Sequence, residues 1–386
     1  MRKILFVSST SLSLEVLDGK QKRAASILKS LSKKNKVDIV CVEENSNIFK
    51  KNIGFCNQET RFKINFFSRI LHTFISLFKL EPLQNGYFFS KDMAKFVEDN
   101  KDNYDTIIFH LIRCCQYLPS QFRGKTILEM TDLVSVRNKQ IINKLSIINP
   151  LKYVYILERF LIDRYEKKVS NQFDRVVFIS KKELPVARKF IEKNKIIVIE
   201  NSFNSEKKIF KYKKNNKKII FLGDINYLPN KLACYEFSRT VLPKLHKKFP
   251  DLVFHIIGKI NIFDKFLLKR NRNVVVHGPV SNLKSIFTNS ICGICNVRIA
   301  TGLQNKVLTY SSYGLPTVVS KESFSKVFFK KNKNILEYSD NNDLIKKILI
   351  LKNNKKISEK ILKNSFNMIK NKFRMKSIYA KYEKIV

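Results

Sequence analysis

Apolar residues in this chain fall into short unbroken runs, separated by longer segments with helical spacing. Residues 4–7, 37–42, 106–109, 127–130, 175–179 and 196–199 each read as a strand covered on both faces, because such strands lose the apolar–polar alternation of a half-exposed one. Between them, residues 24–31, Phe66–Phe78 and Leu151–Val169 carry apolar side chains every three or four positions, the period of a helix. The alternation resumes after residue 218. Strands are expected at 219–222, 253–257, 274–276, 291–297 and from 318, with helices at 231–249 and 306–313 and lysine-rich helix beyond. Strand–helix alternation of this kind predicts two α/β domains with parallel sheets. The lysine- and asparagine-rich run 207–218 reads as the linker between a first domain, 1–206, and a second, 219–364. Residues 365–386 are expected as a C-terminal helix whose end, 379–386, is a basic tail.

Composition narrows the class. A chain of 386 residues with 44% hydrophobic content is long enough for two cores and too apolar to be disordered. Its net charge of +42 draws attention to anionic partners. The lysines are spread along the whole length, however, and aromatic residues do not interleave with them as in nucleic-acid-binding modules, so specific nucleic acid is disfavoured. The cysteine count, seven, is odd and several lie inside strand runs, which fits reduced thiols in a cytoplasm; Cys292 and Cys295 read as core thiols rather than a metal pair. No run reaches the roughly 18 apolar residues of a membrane span. The amphipathic, slightly basic helix Phe66–Phe78 has two readings, one packed on the core and one lying in an anionic membrane interface. The expected location is cytoplasmic, with the inner membrane face as a second neighbour.

Chemistry gathers in two places. Strand 291–297 is followed by Arg298, the turn at Gly302, and a helix with Lys306 in its first turn, ended by Gly314. A helix N-terminus with free amides and two cations suits a diphosphate. A ligand-free βαβ unit fits the pattern equally. In the first half, Gly19 and Arg23 follow the first strand, and His110, Arg113 and Asp132 follow later ones. Carboxyl ends of parallel strands are where open α/β sheets hold ligands. Plain turns and hydrogen-bonded structural groups remain the alternative there.

The residues Gly223-Asp-Ile-Asn-Tyr-Leu-Pro-Asn230, Phe254-His-Ile-Ile-Gly258, Gly278-Pro-Val280 and Gly302-Leu-Gln-Asn-Lys-Val-Leu308 occur in the order found in family-four retaining glycosyltransferases. The sequence resembles their exopolysaccharide sugar transferase subgroup. Weaker likenesses in the first half are Asp18-Gly19 to Arg23, His110 to Arg113, Asp132, and Glu158 through Ser180. The resemblance implies a GT-B fold, with two Rossmann-like domains whose parallel sheets face an interdomain cleft and a final helix crossing back to the first domain. It implies a nucleotide-sugar donor, UDP- or GDP-linked, held by Gly223, Asn226, Arg298, Thr301, Gly302, Leu303, Lys306 and Thr309. It also implies a glycan or lipid-linked acceptor near Gly19, Arg23 and Arg113, with His110 and Asp132 at the reacting centre. Such enzymes work without a metal or other cofactor, in surface polysaccharide synthesis.

The pattern departs from the family at Thr301 and Thr309, where glutamates are usual; the second glutamate holds ribose hydroxyls. Tyr310-Ser-Ser-Tyr313, at positions usually small, predicts local repacking. The departures motivate an alternative, a GT-B-shaped binding protein impaired in catalysis. A third reading, a basic protein for nucleic acid, rests on charge alone.

Overall fold

The computed structural model describes residues 1–12, 19–43, 54–201, 212–280, 282–300, 304–324, 329–372 and 380–386. Contacts divide the chain into two units, Met1–Asn201 with Lys376–Val386, and Ser202–Met375.

The first unit is a seven-stranded sheet of β1 (Lys3–Ser8), β2 (Lys36–Glu43), β3 (Gln58–Lys63), β4 (Thr106–His110), β5 (Lys125–Thr131), β6 (Arg175–Phe178) and β7 (Ile196–Val198). Its order is β3-β2-β1-β4-β5-β6-β7, with every ladder parallel. Ile4 to Val7 are fully buried, as their unbroken apolar run requires. The second unit contains β8 (Lys218–Leu222), β9 (Val253–Ile257), β10 (Val274–Gly278), β11 (Ser290–Cys295), β12 (Thr317–Ser320) and β13 (Leu336–Tyr338). Its order is β10-β9-β8-β11-β12-β13, again all parallel. Both sheets have the doubly wound arrangement, in which strand order reverses at a switch point. These points lie between β1 and β4 and between β8 and β11.

The helices Phe66–Phe78 and Leu151–Val169 have the expected bounds. The single helix expected at 231–249 differs. It starts earlier, at Leu228, because Pro229 suits a first turn, whose N–H groups are unpaired anyway. It then widens into one π turn, Phe237–Val241, before Leu242–His246. Pro243 has no N–H to give the preceding turn, and the wider turn accommodates that gap. The region after residue 320 is not helix throughout: β13 precedes the helices Asn341–Asn353 and Lys355–Lys372. The polar edge strand β3 and the short β13 have no apolar run to announce them.

Part of the expected linker, 207–211, lies outside the described residues. Tyr212 and Asn216 are buried and bond to Leu351 O and Ser290 O within the second unit. Residues 380–386 pack in the first unit, where Tyr382 and Val386 are buried.

Candidate functional site

In the second unit the ladder between β8 and β11 runs from Lys218–Ser290 to Ile220–Gly293 and stops short of the carboxyl ends. Tyr310, from the helix Asn305–Ser312, fills the gap. Its hydroxyl accepts from Leu222 N at 2.7 Å and lies 3.2 Å from Ile294 O and 3.4 Å from Ile220 O. The ring crosses Gly293 so closely that a Cβ there would meet it at 2.5 Å. A side-chain hydroxyl thus parts the two strands where the sheet's order reverses. This is the repacking that Tyr310 predicted.

Lys306 lies beside this opening. It is buried, its Nζ donates to Asn230 Oδ1 at 2.6 Å, and it sits 3.9 Å from the centre of the Phe221 ring. Burial lowers its pKa, and among the described residues no carboxylate contributes to holding the charge. Asn230 is fixed by donating to Asp224 O at 2.8 Å. A Cβ on Gly223 would come within 2.8 Å of the Asn230 amide and 3.3 Å of Lys306 Nζ, so glycine keeps bare backbone next to the cation. Gly258, at φ +138°, lies against the Gly223 carbonyl, where a Cβ would be only 1.9 Å away. The result is a buried ammonium, an amide and exposed main chain at the carboxyl end of β8. An enclosed cation without an anionic protein partner is costly, and a bound anion would relieve it.

The other donor-site residues divide. Asn226 accepts from Asn261 N at 2.9 Å and tethers the loop after β8. Arg298 is held at 2.6 Å by Glu236, at the far end of the helix that contains Asn230, and at 3.1 Å by Asn341. Its guanidinium is therefore engaged as a clamp between protein elements. Thr309 is buried and donates to Asn305 O at 3.0 Å, a bond internal to its helix. Thr301, Gly302 and Leu303 lie outside the described residues.

In the first unit, Ser8 and His110 pair at the carboxyl ends of the switch-point strands. His110 is only 2% exposed and stacks on Phe6 with centroids 5.6 Å apart. A neighbouring pocket is lined by Arg113, Asp132, Arg137 and Gln84 together with Leu111, Ile112, Met130 and Val134. Arg113 and Asp132 thus share one pocket, and His110 is not among its lining residues. Leu111 and Thr131, at the ends of β4 and β5, have φ of +75° and +67°. Such angles are strained for side chains with a Cβ, most of all for branched Thr131, and strain of this kind clusters at ligand sites. Asp132 accepts from Thr131 Oγ1 at 3.1 Å and pairs with Arg137 at 3.8 Å. Arg113 donates to Ser9 Oγ at 2.5 Å and lies 3.9 Å over the Phe88 ring.

Gly19 opens the helix Gly19–Leu31. Arg23, expected beside the acceptor, is instead enclosed. Its Nε donates to Glu129 at 2.6 Å, and its other nitrogens donate to Asn201 and Tyr382 at 2.9 Å each. Its burial rather than its charge was invisible in sequence.

Two carboxylates escaped the sequence reading. Glu183 accepts from Leu133 N at 2.9 Å, and Glu166 accepts from Val134 N at 2.7 Å. Together they cap the helix Val134–Ile142, which begins just after Asp132. Burial, then the Asp132 charge, pushes Glu183 up to about 9. Burial pushes Glu166 up to about 7. Glu166 sits in a charged helix that reads as solvated, yet it is 1% exposed. Their partnering with the Leu133, Val134 and Ser135 groups, a tertiary fact, gives these acids a role.

Residues 216–354 match the family model "Glycosyl transferases group 1". Over this stretch the second unit is similar to group 1 glycosyltransferase domains. The entire chain superposes on HepE of Anabaena, solved with UDP and glucose, covering 99% of that protein at TM-score 0.70 and 12% identity. It likewise spans 98% of sucrose-phosphate synthase from Thermosynechococcus elongatus, at TM-score 0.72 and 13% identity. A TarM variant from S. aureus, solved with UDP, α-GlcNAc-glycerol and fondaparinux, is covered to 99% at TM-score 0.68 and 13% identity. The chain therefore has the GT-B fold of two parallel-sheet α/β domains. An uncharacterized 44.6 kDa protein in the cps region of Klebsiella pneumoniae is 25% identical over 195 residues, 49% of this chain. The chain spans about half the length, 47%, of that curated relative.

Proposed function

We propose that this GT-B protein transfers a sugar from a nucleoside-diphosphate donor to a glycan or lipid-linked acceptor in surface polysaccharide synthesis. The observation that carries this reading is Lys306, a buried cation with no carboxylate partner among the described residues, beside the bare backbone of Gly223. A diphosphate supplies the anion this geometry lacks. HepE, a structural neighbour, was solved with UDP-glucose, which makes a UDP-linked donor the first to test and a GDP-linked one the second. The cps-region relative supports a polysaccharide acceptor.

In this reaction the bond from the anomeric carbon to the diphosphate oxygen breaks. Lys306 and nearby main-chain amides take up the charge that develops on the leaving group. The acceptor hydroxyl attacks from the face the diphosphate leaves, and its proton passes to the departing phosphate oxygen, so configuration is retained without a metal or protein nucleophile. Asp132, in the pocket with Arg113, orients the acceptor hydroxyl. His110 contributes through its position under the strand ends.

The test is a thermal shift with UDP and GDP on the natural chain and on Lys306→Met. The natural chain gains stability with one of them. The variant, free of a buried unpaired cation, melts as high as the natural chain or higher without ligand. Its nucleotide affinity drops about tenfold or more. No shift with any nucleotide sinks the donor-site assignment.

The Thr309 hydroxyl, committed to Asn305 O, favours a second reading, a nucleotide-binding protein without turnover. In that case Thr309→Glu strengthens UDP binding and the natural chain shows no sugar transfer. Detectable transfer by the natural chain removes it.

A further inference from the structure

The helix Phe66–Phe78 is amphipathic but faces the wrong way for a core element. Phe66, Phe67, Ile70, Leu71, Phe74 and Phe78 form its apolar stripe, and all are exposed, Phe67 at 82% and Phe78 at 86%. The side turned to the protein is mostly polar, with Arg69, His72, Thr73 and Ser76 beside the half-buried Ile75 and Leu77. Ser76 is its one buried residue. His72 meets the Phe89 ring at 4.9 Å, and Arg69 lies 4.9 Å over Tyr87. A Cβ on Gly86 would come within 2.1 Å of His72 O, so the helix backbone rests directly on the segment Leu83–Tyr87. These contacts pin the helix with its apolar stripe outward.

The same short segment joins a second apolar surface. Leu83 N and the Gln84 side chain donate to Glu158, at 2.8 and 3.0 Å. Around Glu158, the first turns of the helix Leu151–Val169 and the residues before it expose Ile147, Ile148, Leu151, Tyr153, Val154 and Phe160. A soluble surface seldom displays so many adjoining large apolar side chains without a partner.

We infer that the first unit carries a docking surface for an anionic lipid bilayer, made by these two helices. Charge selects this occupant. Residues 60–80 contain Arg61, Lys63, Arg69 and Lys79 and no acidic residue. Residues 133–157 contain Arg137, Lys139, Lys144 and Lys152, again without an acid, although the chain as a whole has 32 Asp and Glu. Glu59, Glu81, Asp132 and Glu158 border these stretches, and Glu158 is turned to Leu83 and Gln84. An apolar stripe flanked mainly by cations matches the boundary between acyl chains and anionic headgroups. Among the described residues no helix is long and apolar enough to cross a membrane, so the chain lies on the bilayer through these side chains. The inference stands independently of sugar transfer.

The experiment is vesicle flotation of the full chain, with phosphatidylcholine alone or with one third phosphatidylglycerol. The chain floats with the anionic vesicles and more weakly with the neutral ones. Phe67→Ser combined with Phe78→Ser reduces partitioning about tenfold or more, since two interfacial aromatic contacts are lost. Lys79→Glu combined with Lys144→Glu weakens the anionic arm and leaves the neutral arm nearly unchanged. All four positions are exposed, so the melting temperature of each variant stays close to the natural one. Failure to float with anionic vesicles overturns the inference, as does a serine variant that floats like the natural chain. A dimer in solution that the serine variant dissolves also overturns it, because the surface is then an interface between copies.

Discussion

Glu183 shows how a single side chain can report on the pocket it supports. Its carboxyl is held up to about 9 by burial and by Asp132, so it is protonated in the folded chain at neutral pH and ionised in the unfolded one. The folded state then binds more protons, and stability falls as pH rises from the ordinary glutamate range towards 9. Glu183→Gln keeps an acceptor for Leu133 N and removes this titration. The variant should match the natural chain near pH 4 and melt higher at pH 8–9, with the gap widening as pH rises, as differential scanning calorimetry would record. A difference independent of pH would show that Glu183 is ionised when folded. At this scale sequence was a partial guide. Lys306 and Asp132 could be singled out because their types and places after strands suggest binding. Glu183 and Glu166 could not, since burial, and not identity, gives them their chemistry. The partners of Arg298 and Arg23 were illegible for the same reason: a guanidinium suits a phosphate or a protein carboxylate equally, and only the fold brings Glu236 and Glu129 to them.

Among elements, the helix Asn305–Ser312 matters through Tyr310. Its hydroxyl takes the place of a ladder partner for Leu222 N, and Gly293 leaves room for its ring. Tyr310→Phe keeps the shape and strips Leu222 N of its acceptor. The second unit should lose about 1–3 kcal/mol, read as a lower urea midpoint. A Phe variant as stable as the natural chain would mean that water or a shifted strand restores the bond. Periodicity placed most central strands and both long helices of the first unit, because buried runs and 3.6-residue stripes are strong signals. It missed the edge strand β3, which buries little, the three-residue β13, too short to show a run, and the π turn before Pro243, which follows from a missing donor rather than from hydrophobicity. The helix Phe66–Phe78 was legible in its bounds and ambiguous in its orientation, since an amphipathic pattern does not say which side meets the protein.

For the molecule as a whole, two sheets with the same reversal of strand order give two switch points, one lined by strained residues and one by a buried cation. The first unit is also discontinuous. Arg23, Glu129 and Tyr382 form one buried cluster from three distant parts of the sequence, in which the Tyr382 hydroxyl also bonds Glu129. Arg23→Met leaves Glu129 enclosed without its cation. It should cost the first unit about 3–5 kcal/mol, so a calorimetric scan would show that unit's transition moving down while the second unit's stays. Equal movement of both transitions would refute the assignment of this cluster to the first unit alone.

Sequential synthesis gives that discontinuity a cost in time. Tyr382 emerges only after the intervening 202–375 stretch has been translated, roughly ten to forty seconds after Asn201 at bacterial and eukaryotic elongation speeds. Until then the nascent seven-stranded half carries an unfinished ionic cluster and an uncovered apolar floor, while the six-stranded half can already close. Chaperones should therefore engage the earlier-made half for longer, and a ribosome stalled between residues 376 and 381 should release a product whose second half is folded and whose first is not.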